Sequence, residues 1–347
     1  MALRYDAGEV ITAMVTPFNS KREIDYNKAE ELAKYLITHG TDAVLVAGTT
    51  GEGPTLTHEE EFELLSTVKR AVANKAKVIM NAGSNSTDTA VMAAKWAQKE
   101  EVDAILSVVP YYNKPSQKGM IEHFSAVAES TNLPVIIYNI PGRTGVNMQP
   151  KTVAALAEKY NNIVAIKQSF GDMDMVTEMK LACPEDFSIL SGDDSLTLPM
   201  MSLGARGVVS VASHIFGAQI KSMIRNYKTG EYLPAVNMHK KLYPAFRKLS
   251  QTNRPSAGGH SLYQGTAGSR LHKVISYHTQ DERQTGYGLS FILPKHERSS
   301  HETTQEIFKD SLHAACRGDT VQPFGGPGQR RQPERQRQCN APASGPG

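Results

Sequence analysis

The chain has 347 residues, 40% of them hydrophobic and 21% charged, with a formal net charge of +3 at pH 7. That composition is globular, and so small a net charge gives no ground for nucleic-acid binding. No apolar run approaches the roughly 20 residues of a membrane-spanning helix, MALRYDAGEV at the start lacks the features of a secretory signal, and three widely spaced cysteines (Cys183, Cys316, Cys339) form neither a disulfide framework nor a CxxC metal pair, so a cytoplasmic location is expected.

The elements alternate from the start. Ile11–Val15 is a short apolar run that reads as a strand. Asp25–His39 follows with Ala29, Leu32, Ala33, Leu36 and Ile37 on one helical stripe, and Gly40 stands where a helix ends on a C′ glycine. Ala43–Ala47 is a second strand. Thr57-His58-Glu59-Glu60 is the capping box of the next helix. Val78–Ala82 and Ala104–Val109 are further strands, and Ile121, Phe124, Val127 and Ala128 mark the helix after the fourth. Pro134–Ile140, Ile163–Ile166, Ser188–Leu190 and Gly207–Val211 complete eight runs. Most lack polar alternation, as strands covered on both faces of a parallel sheet do.

Two folds accommodate such a series, a (β/α)₈ TIM barrel and a doubly wound open sheet. Eight strands favour the barrel. No GxGxxG or GxxxxGK[ST] follows the first strand, which argues against a dinucleotide or nucleotide site.

Composition breaks near residue 250. Residues 250–347 hold 24 hydrophobic residues, with 12 Lys+Arg against 8 Asp+Glu and six of the eleven His. The expected organisation is a catalytic barrel over 1–225, the start of a helical C-terminal region over 226–250, and an atypical, partly disordered tail over 251–347. So sparse an apolar content does not offset an ordering cost of about 1–2 kcal/mol per residue. The abrupt change has the character of a reading-frame slip; a divergent extension is the alternative.

In a barrel the chemistry sits where strands end. After the second strand come Gly48-Thr49-Thr50-Gly51-Glu52-Gly53, where glycines let backbone N–H groups approach an anion; a plain glycine turn explains them equally well. Pro110-Tyr111-Tyr112-Asn113-Lys114-Pro115 follows the fourth strand, and adjacent tyrosines usually mean packing. Tyr138-Asn139-Ile140-Pro141-Gly142-Arg143-Thr144-Gly145 closes the fifth. An Arg on that loop suits a carboxylate, although a surface Arg in a turn is commoner. The sixth strand places Lys167 directly inside an apolar run. A buried ammonium is costly, so the lysine is either salt-bridged or holds a depressed pKa, and the free amine of the second case attacks a ketone to give a Schiff base. Ser191-Gly192-Asp193-Asp194 ends the seventh strand, and Val209 lies on the eighth.

GTTGE, PYYNKPSQ, YNIPGRTG, AIKQ and SGDD, in this order and at this spacing, resemble the dihydrodipicolinate synthase family of pyruvate-dependent class I aldolases. The resemblance runs over about residues 4–249 and implies a (β/α)₈ barrel followed by a helical C-terminal region, truncated or aberrant here. It implies condensation of pyruvate with aspartate 4-semialdehyde to 4-hydroxy-tetrahydrodipicolinate for lysine and diaminopimelate synthesis. It makes Lys167 the Schiff-base lysine and Tyr138, Thr49 and Tyr112 the proton relay, with Tyr112 reaching in from a neighbouring subunit of a homo-oligomer, a dimer of dimers. Thr49 and Thr50 would hold the pyruvate carboxylate, Arg143 the carboxylate of the aldehyde, and Gly192 and Val209 would line the pyruvate pocket. No metal or organic cofactor is implied, because the covalent lysine–pyruvate iminium is itself the electron sink. A sialic-acid lyase, a keto-deoxy-sugar acid aldolase or a catalytically impaired relative are the alternatives; Arg143 favours a short aldehyde that carries a carboxylate.

The segment after the lysine departs from the pattern. Where relatives carry Lys-Glu-Ala followed by Ser or Thr, this chain has Lys167-Gln168-Ser169-Phe170. Strand alternation is expected to turn Gln168 away from the lysine, and Phe170 to crowd the loop.

Overall fold

The structure, a computed structural model, describes residues 4–252. The tail expected over 251–347 lies outside the described residues apart from its first two positions.

In chain order the elements are β1 (Val10–Ala13), α1 (Tyr26–Thr38), β2 (Ala43–Val46), α2 (His58–Val72), β3 (Lys77–Asn81), α3 (Thr87–Lys99), β4 (Ala104–Val108), α4 (Gln117–Glu129) and β5 (Val135–Asn139). They continue with α5 (Pro141–Thr144), α6 (Pro150–Lys159), β6 (Ile163–Gln168), α7 (Met173–Ala182), β7 (Ser188–Ser191), α8 (Thr197–Met201), β8 (Gly207–Ser210), α9 (Ser213–Lys228) and α10 (Tyr232–Thr252). The eight strands close in sequence order into one parallel barrel, with β1 paired to both β2 and β8. Closure leaves no unpaired edge, and it excludes the open-sheet alternative.

Local signals explain the helices. Asp25 caps α1 by accepting from the Lys28 N–H at 3.1 Å, and α1 buries Ala29, Leu32, Ala33 and Leu36. Gly40 follows at φ +99°, where an added Cβ would meet the Ala218 backbone nitrogen at 2.8 Å. The capping box of α2 is complete: Thr57 accepts from the Glu60 N–H, and Glu60 accepts from the Thr57 N–H. The inner face of α4 is rotated from the expected stripe. Met120 and His123 are buried with Phe124, Val127 and Ala128, while Ile121 is half-exposed. His123 reaches that face because its Nδ1 bonds the Thr87 hydroxyl at 2.9 Å and its ring packs edge-on against Phe124.

The barrel interior is filled by alternating small and large side chains: Ile11, Ala13, Ala43, Leu45, Ile79, Ala104, Leu106, Ile136, Tyr138, Ala165, Leu190 and Val209. The intervening strand residues face the helices and are also buried, which is why the runs lack polar alternation. Between β5 and β6 the register slips: Val135 pairs with Ile163, but Ile136 pairs with Ala165. Val164 is the extra residue, and from there Tyr138 pairs with Lys167 and Asn139 with Gln168. A bulge beside a functional site re-aims the side chains that follow it; here it sets two long polar side chains abreast at the inner wall. Beyond β8, α10 packs on α9 and buries Ala235, Leu242, Phe246 and Leu249. Among the described residues no helix is long and apolar enough to cross a membrane.

Candidate active site

The C-terminal ends of the strands carry the polar residues. Lys167 is 6% exposed, and its Nζ stands 3.9 Å from the centroid of the Tyr138 ring. Tyr138 is itself buried and belongs to the interior cluster with Val209. No ion pair among the described residues includes Lys167. The salt bridge the sequence allowed is therefore not formed. The aromatic face is the lysine's electrostatic partner, and unlike a carboxylate it does not form a fixed, charge-assisted hydrogen bond to the amine.

Gly192 makes room for this lysine. A Cβ there would meet the Ser169 Oγ at 1.9 Å and the Lys167 Cε and Cγ at 3.1 Å each. The Gly192 N–H donates to the Gln168 carbonyl at 2.8 Å, which holds the β7 loop against β6. Lys167, Tyr138, Gly192 and Val209 are thus brought to one inner wall.

Gln168 points the other way. It is fully buried, its Oε1 accepts from Asn139 Nδ2 at 3.0 Å, and its Nε2 approaches the Met175 sulfur of α7 at 3.6 Å. Asn139 also donates to Asn147 and accepts from the Met148 N–H. This neutral amide ladder ties the ends of β5 and β6 to the α5–α6 loop, behind the lysine. Phe170 is 38% exposed at the end of β6.

The other expected residues lie in loops at the same end. Thr49 is exposed and Thr50 half-exposed in the turn after β2. That turn is held by Thr16, whose Oγ1 donates to the Gly51 carbonyl at 2.6 Å, and by the Gly53 N–H, which donates to the Gly48 carbonyl. Arg143 is exposed in the last turn of α5. Tyr112 is 89% exposed at φ +73°, a left-handed conformation costly for a residue with a bulky side chain. Its ring does not join Tyr138 within this chain.

Two residues with a part at this end went unassigned in the sequence. Asp194 is buried, and its carboxylate accepts from the Ser210 hydroxyl and from the Val211 and Ala212 N–H groups, fastening the β7 loop to the end of β8. Burial raises its pKa above the usual carboxylate range, while those three donors oppose the rise. His214 accepts from the Val15 N–H at 3.1 Å through Nε2 and donates from Nδ1 to the Val211 carbonyl at 2.8 Å. Both partners require one neutral tautomer, and burial lowers its pKa to about 4. The sequence around Asp194 and His214 gave no signal of these contacts, because Asp194 reaches the end of β8 and His214 reaches the residues after β1, both far off in the chain.

A closed parallel barrel with an unpaired lysine buried among its strand ends is the architecture of a (β/α)₈ enzyme with amine chemistry, the class I aldolase type. The model of the dihydrodipicolinate synthetase family matches residues 6–264, and the chain belongs to that family. It is 50% identical over 250 residues, 72% of this chain and 84% of the relative, to a 4-hydroxy-tetrahydrodipicolinate synthase of Desulforamulus reducens. A synthase of the same name from Synechococcus sp. is 52% identical over 248 residues, 72% of this chain and 81% of the relative. Among solved structures, a dihydrodipicolinate synthase from Cyanidioschyzon merolae with lysine bound superposes with a TM-score of 0.75 at 40% identity, covering 89% of this chain and 98% of that one.

Proposed function

We propose that this chain is a 4-hydroxy-tetrahydrodipicolinate synthase, joining pyruvate to aspartate 4-semialdehyde through a Schiff base on Lys167. The carrying observation is a buried lysine amine, with no ion-pair partner among the described residues and 3.9 Å from the Tyr138 ring, in a chain half identical over 250 residues to a protein of that name.

The Lys167 Nζ attacks C2 of pyruvate, and water leaves to give an iminium. The iminium draws electrons from the methyl carbon, which loses a proton and becomes an enamine. That carbon bonds to the aldehyde carbon, and the aldehyde oxygen takes up a proton. The substrate's own amine then attacks C2, closes the ring and releases Lys167. The covalent iminium does the work of a cofactor. Thr49 and Thr50 hold the pyruvate carboxylate from the turn after β2, and Gly192 and Val209 shape the space around it. Arg143 receives the carboxylate of the aldehyde. Tyr138 relays protons with Thr49 and with a Tyr112 supplied by a second copy of the chain in a homo-oligomer, a dimer of dimers. The 89% exposure of Tyr112 on a strained backbone supports that reading. Residues 1–225 act as the catalytic barrel and 226–250 as the opening of the helical region, in a cytoplasmic enzyme whose Cys183 is a free thiol.

Borohydride reduction in the presence of pyruvate tests this. The wild-type chain should gain one reduced pyruvate adduct by mass, and Lys167→Ala should gain none while keeping its melting temperature. An adduct that persists in Lys167→Ala overturns the assignment. Turnover of pyruvate with aspartate semialdehyde, and not with a sugar aldehyde, separates the synthase from the other pyruvate aldolases.

A further inference from the structure

Ser169 stands two residues beyond Lys167, and the two-residue period of a strand turns both side chains to the same side of the barrel wall. Its N–H donates to the Asn139 carbonyl at 2.9 Å, so the β6 ladder extends through it. Its Oγ is buried and makes no hydrogen bond within the described residues. The same point beside Gly192 lies 1.9 Å from this Oγ and 3.1 Å from the Lys167 Cε, so the hydroxyl and the end of the lysine converge. A buried hydroxyl without a partner lowers stability, and such groups concentrate where a ligand completes the bonding.

We propose that the Ser169 hydroxyl is a substrate-contacting group that hydrogen-bonds the 2-oxo-acid adduct on Lys167, at the oxygen that departs as water. This rests on Lys167 being the Schiff-base lysine. When Nζ bonds to C2, the carbonyl oxygen takes the proton that nitrogen gives up, and a carbinolamine results. A second proton, from solvent at the barrel mouth, reaches that oxygen; the C2–O bond breaks, water leaves, and the iminium remains. Ser169 keeps its own proton throughout and donates a hydrogen bond to the oxygen as charge grows on it. The carboxylate end of the same adduct is assigned to the turn after β2, four strands away around the ring from β6. The keto oxygen is therefore the adduct atom left to the β6 side.

The test compares wild type, Ser169→Ala and Ser169→Cys for the rate of borohydride-trapped pyruvate capture, and for melting temperature without pyruvate. Loss of one neutral hydrogen bond should slow capture by Ser169→Ala about three- to tenfold. The same variant should melt no lower than wild type, because an unpaired hydroxyl has been removed. Ser169→Cys, a weaker donor of similar shape, should capture at an intermediate rate. Equal capture rates in all three overturn the proposal and leave Lys167 in place. A melting temperature lowered by Ser169→Ala, with unchanged capture, makes the hydroxyl structural and also overturns it. Absence of capture by wild type overturns the Schiff-base reading itself.

Discussion

At the scale of single residues, the site depends on side chains that the fold holds at some cost. Lys167 gives up hydration for an aromatic face, and Tyr112 holds a left-handed backbone. Arg143 is different, being exposed on the short helix α5. Arg143→Ala should leave pyruvate capture intact and weaken use of aspartate semialdehyde. A lost charge-assisted, bidentate contact to a carboxylate is worth about 2–3 kcal/mol, or roughly 30–150-fold in kcat/KM for the aldehyde. Steady-state kinetics with each substrate varied in turn would show it, and an unchanged kcat/KM would make Arg143 a surface residue only. Lys167 and Arg143 both stand out in the sequence because each breaks its local pattern, a charge in an apolar strand and a guanidinium on a Pro-Gly turn. Ser169 was visible only as a departure from relatives. A serine at a strand end is unremarkable until its hydroxyl is found buried and unpaired.

At the scale of elements, His214 joins the start of α9 to the residues after β1, and it does so only when neutral. Its pKa is lowered to about 4 in the folded chain, against an ordinary value of 6.5. Protonation therefore favours the unfolded chain. The contribution is complete above pH 6.5 and is lost as the pH falls from 6.5 towards about 4. That separation is worth about 3 kcal/mol. Burial lowers His123 on α4 to about 4 as well, with the same sign. Urea midpoints measured between pH 7 and 4.5 should fall steeply, and His214→Gln should reduce the slope without abolishing it, because His123 and His239, both lowered by burial, still titrate. An unchanged slope would remove His214 as a source. The helices α1 and α2 were legible by stripe and cap. The inner face of α4 was not, because His123 counts as polar in a sequence and is buried here through one hydroxyl partner and a ring contact.

At the scale of the whole molecule, one closed barrel sets residues from β2, β5, β6, β7 and β8 around one mouth. Tyr112 is the member that stands outside, and a second chain is the source assigned to it. Two inactive variants should therefore complement each other. Lys167→Ala supplies an intact Tyr112, and Tyr112→Phe supplies an intact Lys167. Mixed, dissociated and reassembled, they should regain about a quarter of the wild-type rate, since half the pairs are mixed and each mixed pair has one complete site. No recovery, with mixed oligomers demonstrated by mass, would mean that Tyr112 acts within its own chain or not at all.

The amino-acid order alone determined the eight strands, most of the helix boundaries checked by cap or stripe, and the lysine. These rest on interactions within a few residues: apolar runs, capping side chains, a C′ glycine. Tertiary structure alone decided which way the key side chains face. The Val164 bulge that sets Lys167 beside Tyr138 has no signature in Ile163-Val164-Ala165-Ile166, because a bulge is a relation between two strands. It likewise decided that Gly192 leaves space for a lysine, that Gln168 closes a neutral ladder behind it, that Asp194 fastens to the end of β8 and that His214 reaches the residues after β1. Those contacts join residues far apart in the chain, and only closure of the barrel brings them within a hydrogen bond's length.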